Sequence, residues 1–225
     1  MQTHKLEDYP GGKAMPDMIP IFPLDGAVLF PRGRLPLNIF ERRYFDMVGD
    51  ALDGAALIGL VQPRDPGSYA RKTQADIYSV GCAGQIVEHE KTDDNRYLIV
   101  LKGVSRFRIL EEPTMTAAYR QVQVCYDEFT EDRDPQMALG DIRAALLESL
   151  QDFLGRMGVE GDWVSIKALS DGDLVHALAM TCPFPGNEKQ ALLEALTLEE
   201  RAQVLMTLMA LSGSPGESHV SPPSH

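Results

Sequence analysis

Long apolar runs are absent from this 225-residue chain: charge or glycine interrupts each one well short of the roughly eighteen residues a membrane-crossing helix needs. The stretch from Met1 to Asp17 is polar and has no apolar segment of the kind that opens a secretory signal. Cysteine is scarce. Cys82, Cys125 and Cys182 are odd in number, far apart and in no CxxC pair, so reduced thiols in a cytoplasmic protein are expected, not a disulfide scaffold. Positive charge is also short, with 21 Lys and Arg against 33 Asp and Glu, a formal charge of −12. Such a chain repels phosphate backbones, which disfavours a nucleic-acid partner. No G-x-x-x-x-G-K-[ST] occurs, so a Walker-type phosphate cradle is excluded. Of five histidines, His4, His219 and His225 fall in expected tails, leaving His89 at a hairpin end and His176 on a helix. Neither is fixed by spacing against a nucleophile, and Cys82, His89 and Cys125 lack zinc-ligand spacing. The expectation is no catalytic residue, no metal and no cofactor.

What remains is ordinary globular material, 44% hydrophobic and 24% charged, enough for one large domain or two small ones. The acidity is uneven. Residues 1–130 hold 15 Lys/Arg and 18 Asp/Glu, whereas residues 131–225 hold 6 and 15. The chain divides accordingly into a flexible tail (1–16), a β part (17–130), a helical part (131–212) and a disordered tail (213–225).

The β part opens with Pro20, Pro23, Pro31 and Pro36 set among short apolar runs, which rules out plain central strands. Ile19, Ile21, Leu35, Leu37 and Ile39 alternate as in half-buried strands. Tyr44, Phe45, Val48 and Leu52 then fall at helical spacing, closed by Asp53-Gly54. Ala55 to Val61 is a compact strand and Arg64 to Gln74 a loop. Ile77–Glu88 and Arg96–Leu110 flank the turn at Lys91–Asn95 as a long hairpin, in which Gly81, Gly84 and Gly103 suit bulges or bends. In Ala118–Tyr126, Val122, Val124 and Tyr126 share one face. Short strands, one helix and bulge glycines predict a small closed or nearly closed barrel.

In the helical part, Asp134 with Pro135 is read as a helix start. Leu139, Ile142, Leu146, Leu150, Phe153 and Met157 form its stripe and Gly158 its stop. Asp162 begins a short helix, Ser170 with Asp173 caps the next, Asn187 caps another, and Thr197 with Glu200 is a capping box for the last.

Ile21-Phe22-Pro23-Leu24, Phe30-Pro31, Leu35-Pro36-Leu37, Phe40-Glu41-Arg42-Arg43-Tyr44, Ile58–Val61, Val80-Gly81 and Leu101-Lys102-Gly103-Val104-Ser105-Arg106-Phe107 resemble the N-terminal domain of Lon proteases in order and spacing. Lys189–Glu194, Leu198-Glu199-Glu200-Arg201 and Val204–Leu211 resemble the helical subdomain that follows it. The resemblance covers roughly residues 17–211. It implies an α+β fold, a PUA-like bent β pseudo-barrel followed by a helical bundle. It also implies that Pro23, Leu24, Phe30, Pro31, Pro36, Leu37, Glu41, Gly81, Gly103 and Arg106 shape the fold. In Lon proteases an ATPase module and a Ser-Lys peptidase follow; here the chain looks like the substrate-binding part alone. It is therefore expected to be no enzyme and to hold polypeptide segments, unfolded or tagged, as an adaptor or chaperone-like holder for a protease or chaperone machine. The alternative is a PUA-like RNA reader or small-ligand sensor.

Two kinds of residue qualify for that surface. Arg32, Arg34, Arg42 and Arg43 are the one cationic cluster in sequence, and Phe22, Phe30, Leu37, Phe40 and Tyr44 are its apolar neighbours. Arg32, Arg34, Phe40, Arg43 and Tyr44 are the expected peptide contacts. Glu41 is expected to cap the helix or pair with an arginine.

Overall fold

The prolines bend the entry to the fold into two separate strands, β1 (Met18–Pro23) and β2 (Arg34–Ile39), with Pro31 in the connection between them. The structure is a computed structural model that describes residues 15–65, 76–94, 96–114, 117–134 and 137–212. Most of the expected N-terminal tail, most of the Arg64–Gln74 loop, Pro135 and the tail from Gly213 lie outside the described residues.

After β2 come α1 (Arg42–Asp53), β3 (Leu57–Val61), β4 (Val80–Lys91), β5 (Tyr97–Glu111) and β6 (Gln121–Cys125). The strand order is β2-β5-β4-β3-β1-β6, and β6 also pairs with the C-terminal end of β5. Five strands thus meet around a small interior, while β2 is left on the outer flank of β5. The result is a bent pseudo-barrel, not a fully closed one. One pairing has no sequence signal: β1 runs parallel to β3, Phe22 against Leu60, with β2 and α1 as the crossover.

Alternation along the strands divides the apolar residues between two cores. Ile19, Ile21, Leu57, Val61, Ala83, Phe107, Val122 and Val124 fill the interior. Phe22, Ile58, Leu60, Val80, Cys82 and Ile86 face outward and are covered by α1 and the helices. All five residues of β3 are buried because both its faces are covered, so it reads as an unbroken apolar run.

A short 3-10 segment, Asp127–Arg133, leads to α2 (Ile142–Met157), α3 (Trp163–Ala168), α4 (Asp171–Thr181), α5 (Gly186–Glu194) and α6 (Leu198–Leu211). The outward core continues without a break into Leu146, Leu150, Phe153, Leu174, Val175, Leu192 and Leu205, so the halves on either side of residue 130 share one apolar cluster. Gly158 ends α2 at φ +68°, a left-handed conformation, and the Thr197–Glu200 capping box is formed. Asp162 and Ser170 each accept a backbone N–H, from Ser165 and Asp173. Two starts differ from expectation. Asp134 follows the 3-10 segment and α2 begins later, after Asp141; α5 begins after Pro185, one residue before Asn187. Neither start has a side-chain cap hydrogen bond.

Gly81 and Gly103 are required for space, not for φ. A Cβ at Gly103 would overlap the Phe30 carbonyl oxygen, and one at Gly81 would sit 2.6 Å from the Leu60 oxygen. One register shift flanks the Gly84–Gly103 pair, as expected of those two glycines, and a second lies between Ile86 and Glu88; Gly81 sits at neither.

Where the two halves meet is a buried polar junction. Arg106 of β5 is 1% exposed; its Nε and Nη2 donate to Asp132 Oδ1 at 3.0 and 2.8 Å. Nη1 reaches the Leu193 and Ala195 carbonyls and Nη2 that of Leu196, 3.1 Å away. These carbonyls lie at and just beyond the C-terminal end of α5, where they lack intrahelical donors and the helix dipole is negative. Arg201 of α6 joins them: Nε donates to the Leu192 carbonyl and Nη2 to that of Ala195, both at 2.9 Å. Its Nη1 donates to His176 Nε2 at 3.0 Å, which leaves His176 Nδ1 carrying the proton it donates to the Pro31 carbonyl at 3.2 Å. The Phe30 ring stacks on the His176 ring, centroids 5.0 Å apart, and the Arg201 guanidinium lies 5.0 Å over the Phe30 ring. The imidazole is thereby held neutral, its pKa pushed well below the usual range by burial and then by Arg201, Arg32 and Arg106.

Candidate functional site

In β5 the run Tyr97-Leu98-Ile99-Val100-Leu101 is apolar on both faces, the pattern of a strand covered on two sides. Only one side is covered. Ile99 and Leu101 are buried beside Leu35, Leu37 and Ile39, and Phe45 of α1 packs on Tyr97 with ring centroids 4.7 Å apart. Leu98 is 43% exposed and Val100 half-buried on the other side. The register places Pro36 and Asn38 of β2, and Glu88 and Glu90 of β4, beside them.

This open sheet face is a groove of about 590 Å³ with Pro36, Leu98 and Val100 among its lining residues and Glu88 and Glu90 on one side. Phe40, 67% exposed, follows the last residue of β2. Arg34 donates to Glu88 from the opposite flank of β5, so this pair straps one end of the groove. Glu90 has no ion pair among the described residues. Leaving Leu98 and Phe40 in water costs hydrophobic free energy that a purely structural sheet has no reason to forgo.

The free edge of β2 does not explain the exposure. Gly103 N–H donates to the Gly33 carbonyl, and ladder alternation then turns Leu35, Leu37 and Ile39 toward β5 and Arg34, Pro36 and Asn38 outward. An added strand would meet Pro36, which has no N–H, at the middle of that edge. Recognition on this face must use side chains.

Among the residues expected to contact peptide, Arg34 lies on this face and Phe40 at its end. Arg32, at φ +66°, pairs instead with Asp173 of α4 at 3.1 Å, where the Ser170 hydroxyl and then Arg32 hold the carboxylate below its usual pKa. Arg43 pairs with Glu41 and lies 4.5 Å over the Tyr44 ring. Glu41 therefore makes the expected arginine pair and no side-chain cap. Tyr44 is a correction: it is 4% exposed, edge-on to Phe22, because helical spacing places residues 44, 47, 48 and 51 on the covered stripe of α1. Phe22, Phe30 and Pro31 are likewise core, Leu37 is half-buried and Pro36 is exposed. Leu98, Val100, Glu88 and Glu90 were not among the expected contacts. The one signal in sequence, for Leu98 and Val100, is the run Tyr97–Leu101 that is apolar on both faces.

The cysteine and histidine pairing has no geometric support. Cys82 is fully buried, burial raising its thiol pKa, while His89 is exposed further along β4. A second groove, about 550 Å³ between α2 and α3, is lined by Leu147 and Trp163 but also by Glu148, Gln151 and Lys167.

A family model described as the ATP-dependent protease La (LON) substrate-binding domain matches residues 18–210. The chain belongs to this Lon substrate-binding domain family. It is 28% identical over 202 residues to Lon protease 2 of Myxococcus xanthus, a match covering 87% of this chain and 24% of that protein. Lon protease 2 of Sorangium cellulosum is 29% identical over 204 residues, 86% and 24% of the two chains. The Lon-type chain thus spans about a quarter of the length of these relatives. The fold is shared with a Lon N-terminal domain protein from Xanthomonas campestris (TM-score 0.62, 20% identity, 84% of this chain and 97% of that one). It is shared too with the N-terminal domain of a Mycobacterium avium complex Lon protease (TM-score 0.63, 16% identity, 86% and 98%). Among the described residues of this Lon-type domain, no helix is long and apolar enough to cross a membrane.

Proposed function

We propose that this protein binds polypeptide segments on the open face of β2, β5 and β4, without catalysing a reaction on them. The single observation that carries the reading is the uncovered apolar pair Leu98 and Val100 in the groove, with exposed Phe40 just past the end of β2, in a domain whose family is described as substrate-binding. Extended apolar segments of unfolded or tagged chains supply side chains of the right kind to cover it. Such binding suits an adaptor that presents chains to an ATP-dependent protease, or a holder that keeps them from aggregating. RNA is the weaker reading, since the chain carries −12 and the groove has carboxylates where a phosphate would need cations.

The test is binding of the full chain to a permanently unfolded model protein and to apolar peptides by fluorescence anisotropy. The triple variant Phe40→Ser, Leu98→Ser, Val100→Ser is run beside it, its folding checked by circular dichroism. Micromolar binding lost in a folded triple variant is expected. No binding by the parent chain, or equal binding by the variant, overturns the proposal.

A further inference from the structure

We infer that this face selects apolar segments flanked by lysine or arginine over the same segments flanked by acids, and that Glu90 sets the preference. The inference rests on the proposed polypeptide binding and adds the substrate class.

Charge on the face is unequal in kind. Arg34 and Glu88 neutralise each other across β5. Glu90 stands on β4 beside Leu98, exposed and without an ion pair among the described residues, so its charge is uncompensated at that end of the apolar strip. The other charges near that end are engaged: Arg96 pairs with Asp94, and Lys91 lies 5.0 Å over the Phe45 ring, where β4 and β5 turn toward α1. Lys102 lies at the other end, beside Arg34 in the register. A segment that seats an apolar side chain on Leu98 brings its flanking residue against the Glu90 carboxylate. A cation there gains an ion pair, and an acid meets a like charge. The long-range field of a chain at −12 adds to the same preference.

The experiment uses the full chain and three labelled peptides with one common apolar core, flanked by Lys, Ser or Glu, read by fluorescence anisotropy at low and high salt. Tighter binding of the Lys-flanked over the Glu-flanked peptide, about fivefold at low salt and shrinking as salt rises, is expected for a partly exposed pair. In Glu90→Gln the ratio should fall toward the Ser-flanked value, and in Glu90→Lys it should invert. Equal affinity for all three peptides overturns this inference and leaves polypeptide binding standing. So does a preference that survives unchanged in Glu90→Lys. Failure of all three to bind removes the underlying reading instead.

Discussion

The buried junction and the open sheet face are built on the same strand, and they treat polar and apolar groups in opposite ways. Toward its C-terminal half, β5 buries the most strongly hydrated kind of side chain, an arginine, and surrounds it with acceptors. Toward its N-terminal half it leaves Leu98 and Val100 at the surface. Burying Arg106 is tolerable because Asp132, three carbonyls at the end of α5 and the Phe129 face 4.6 Å away replace its water. No comparable compensation exists for the exposed leucine. The contrast separates a polar cluster that serves folding from an apolar cluster that folding leaves free.

The sharpest way to break that contrast is to remove one partner at the junction. Asp132→Ala should leave a buried guanidinium without its counter-ion and cost about 4 kcal/mol, measured by urea denaturation. Loss below about 1 kcal/mol would mean that the α5 carbonyls suffice. Gly103→Ala should follow at about 3 kcal/mol, since the new methyl group overlaps the Phe30 carbonyl and the backbone must move. Its signature is a lower denaturation midpoint with the slope retained.

Acid should act next. His176 is held neutral in the folded state with its pKa depressed, so unfolding releases a group that binds a proton more readily. Its contribution is therefore complete above the ordinary imidazole value near pH 6.5. It falls as pH drops below that, by at most about 1.4 kcal/mol per pH unit. His176→Gln, less stable overall, should show a flatter decline between about pH 6.5 and 5, because no imidazole then titrates. An unchanged slope in thermal scans across that window would remove His176 from the acid response.

The smallest stability effects belong to the face. Arg34→Ala breaks an exposed pair and should cost no more than about 0.5 kcal/mol. Phe40→Ser should be similarly mild in calorimetry, since the ring is already two-thirds in water, yet it should weaken polypeptide binding severalfold. A Phe40 variant that unfolds the protein while leaving binding intact would reverse the roles assigned to the two regions.

Much of the fold was legible because local chemistry specified it. Thr197 with Glu200, Ser170 and Gly158 acted as helix punctuation where they stood. The alternation of Val122 and Val124 placed β6 correctly. The site was legible only in part. Arg34 and Phe40 lie on or beside the proposed face, but Tyr44 went into the core by helical phase, and Arg32 was drawn to Asp173, 141 residues away in sequence. Leu98 was not singled out, because nothing in a strand's own sequence tells which of its two apolar faces a helix will cover.

The sequence by itself determined the element types, most of the caps and the family likeness, all of them consequences of neighbours along the chain or of motif order. Tertiary structure alone decided that Arg106 and Arg201 converge on the end of α5, that His176 is neutral with its proton on Nδ1, and that one face of β5 stays in water. These depend on groups tens of residues apart brought within a few ångströms, where burial changes the energetics of a charge or a methyl group. No local pattern carries that information.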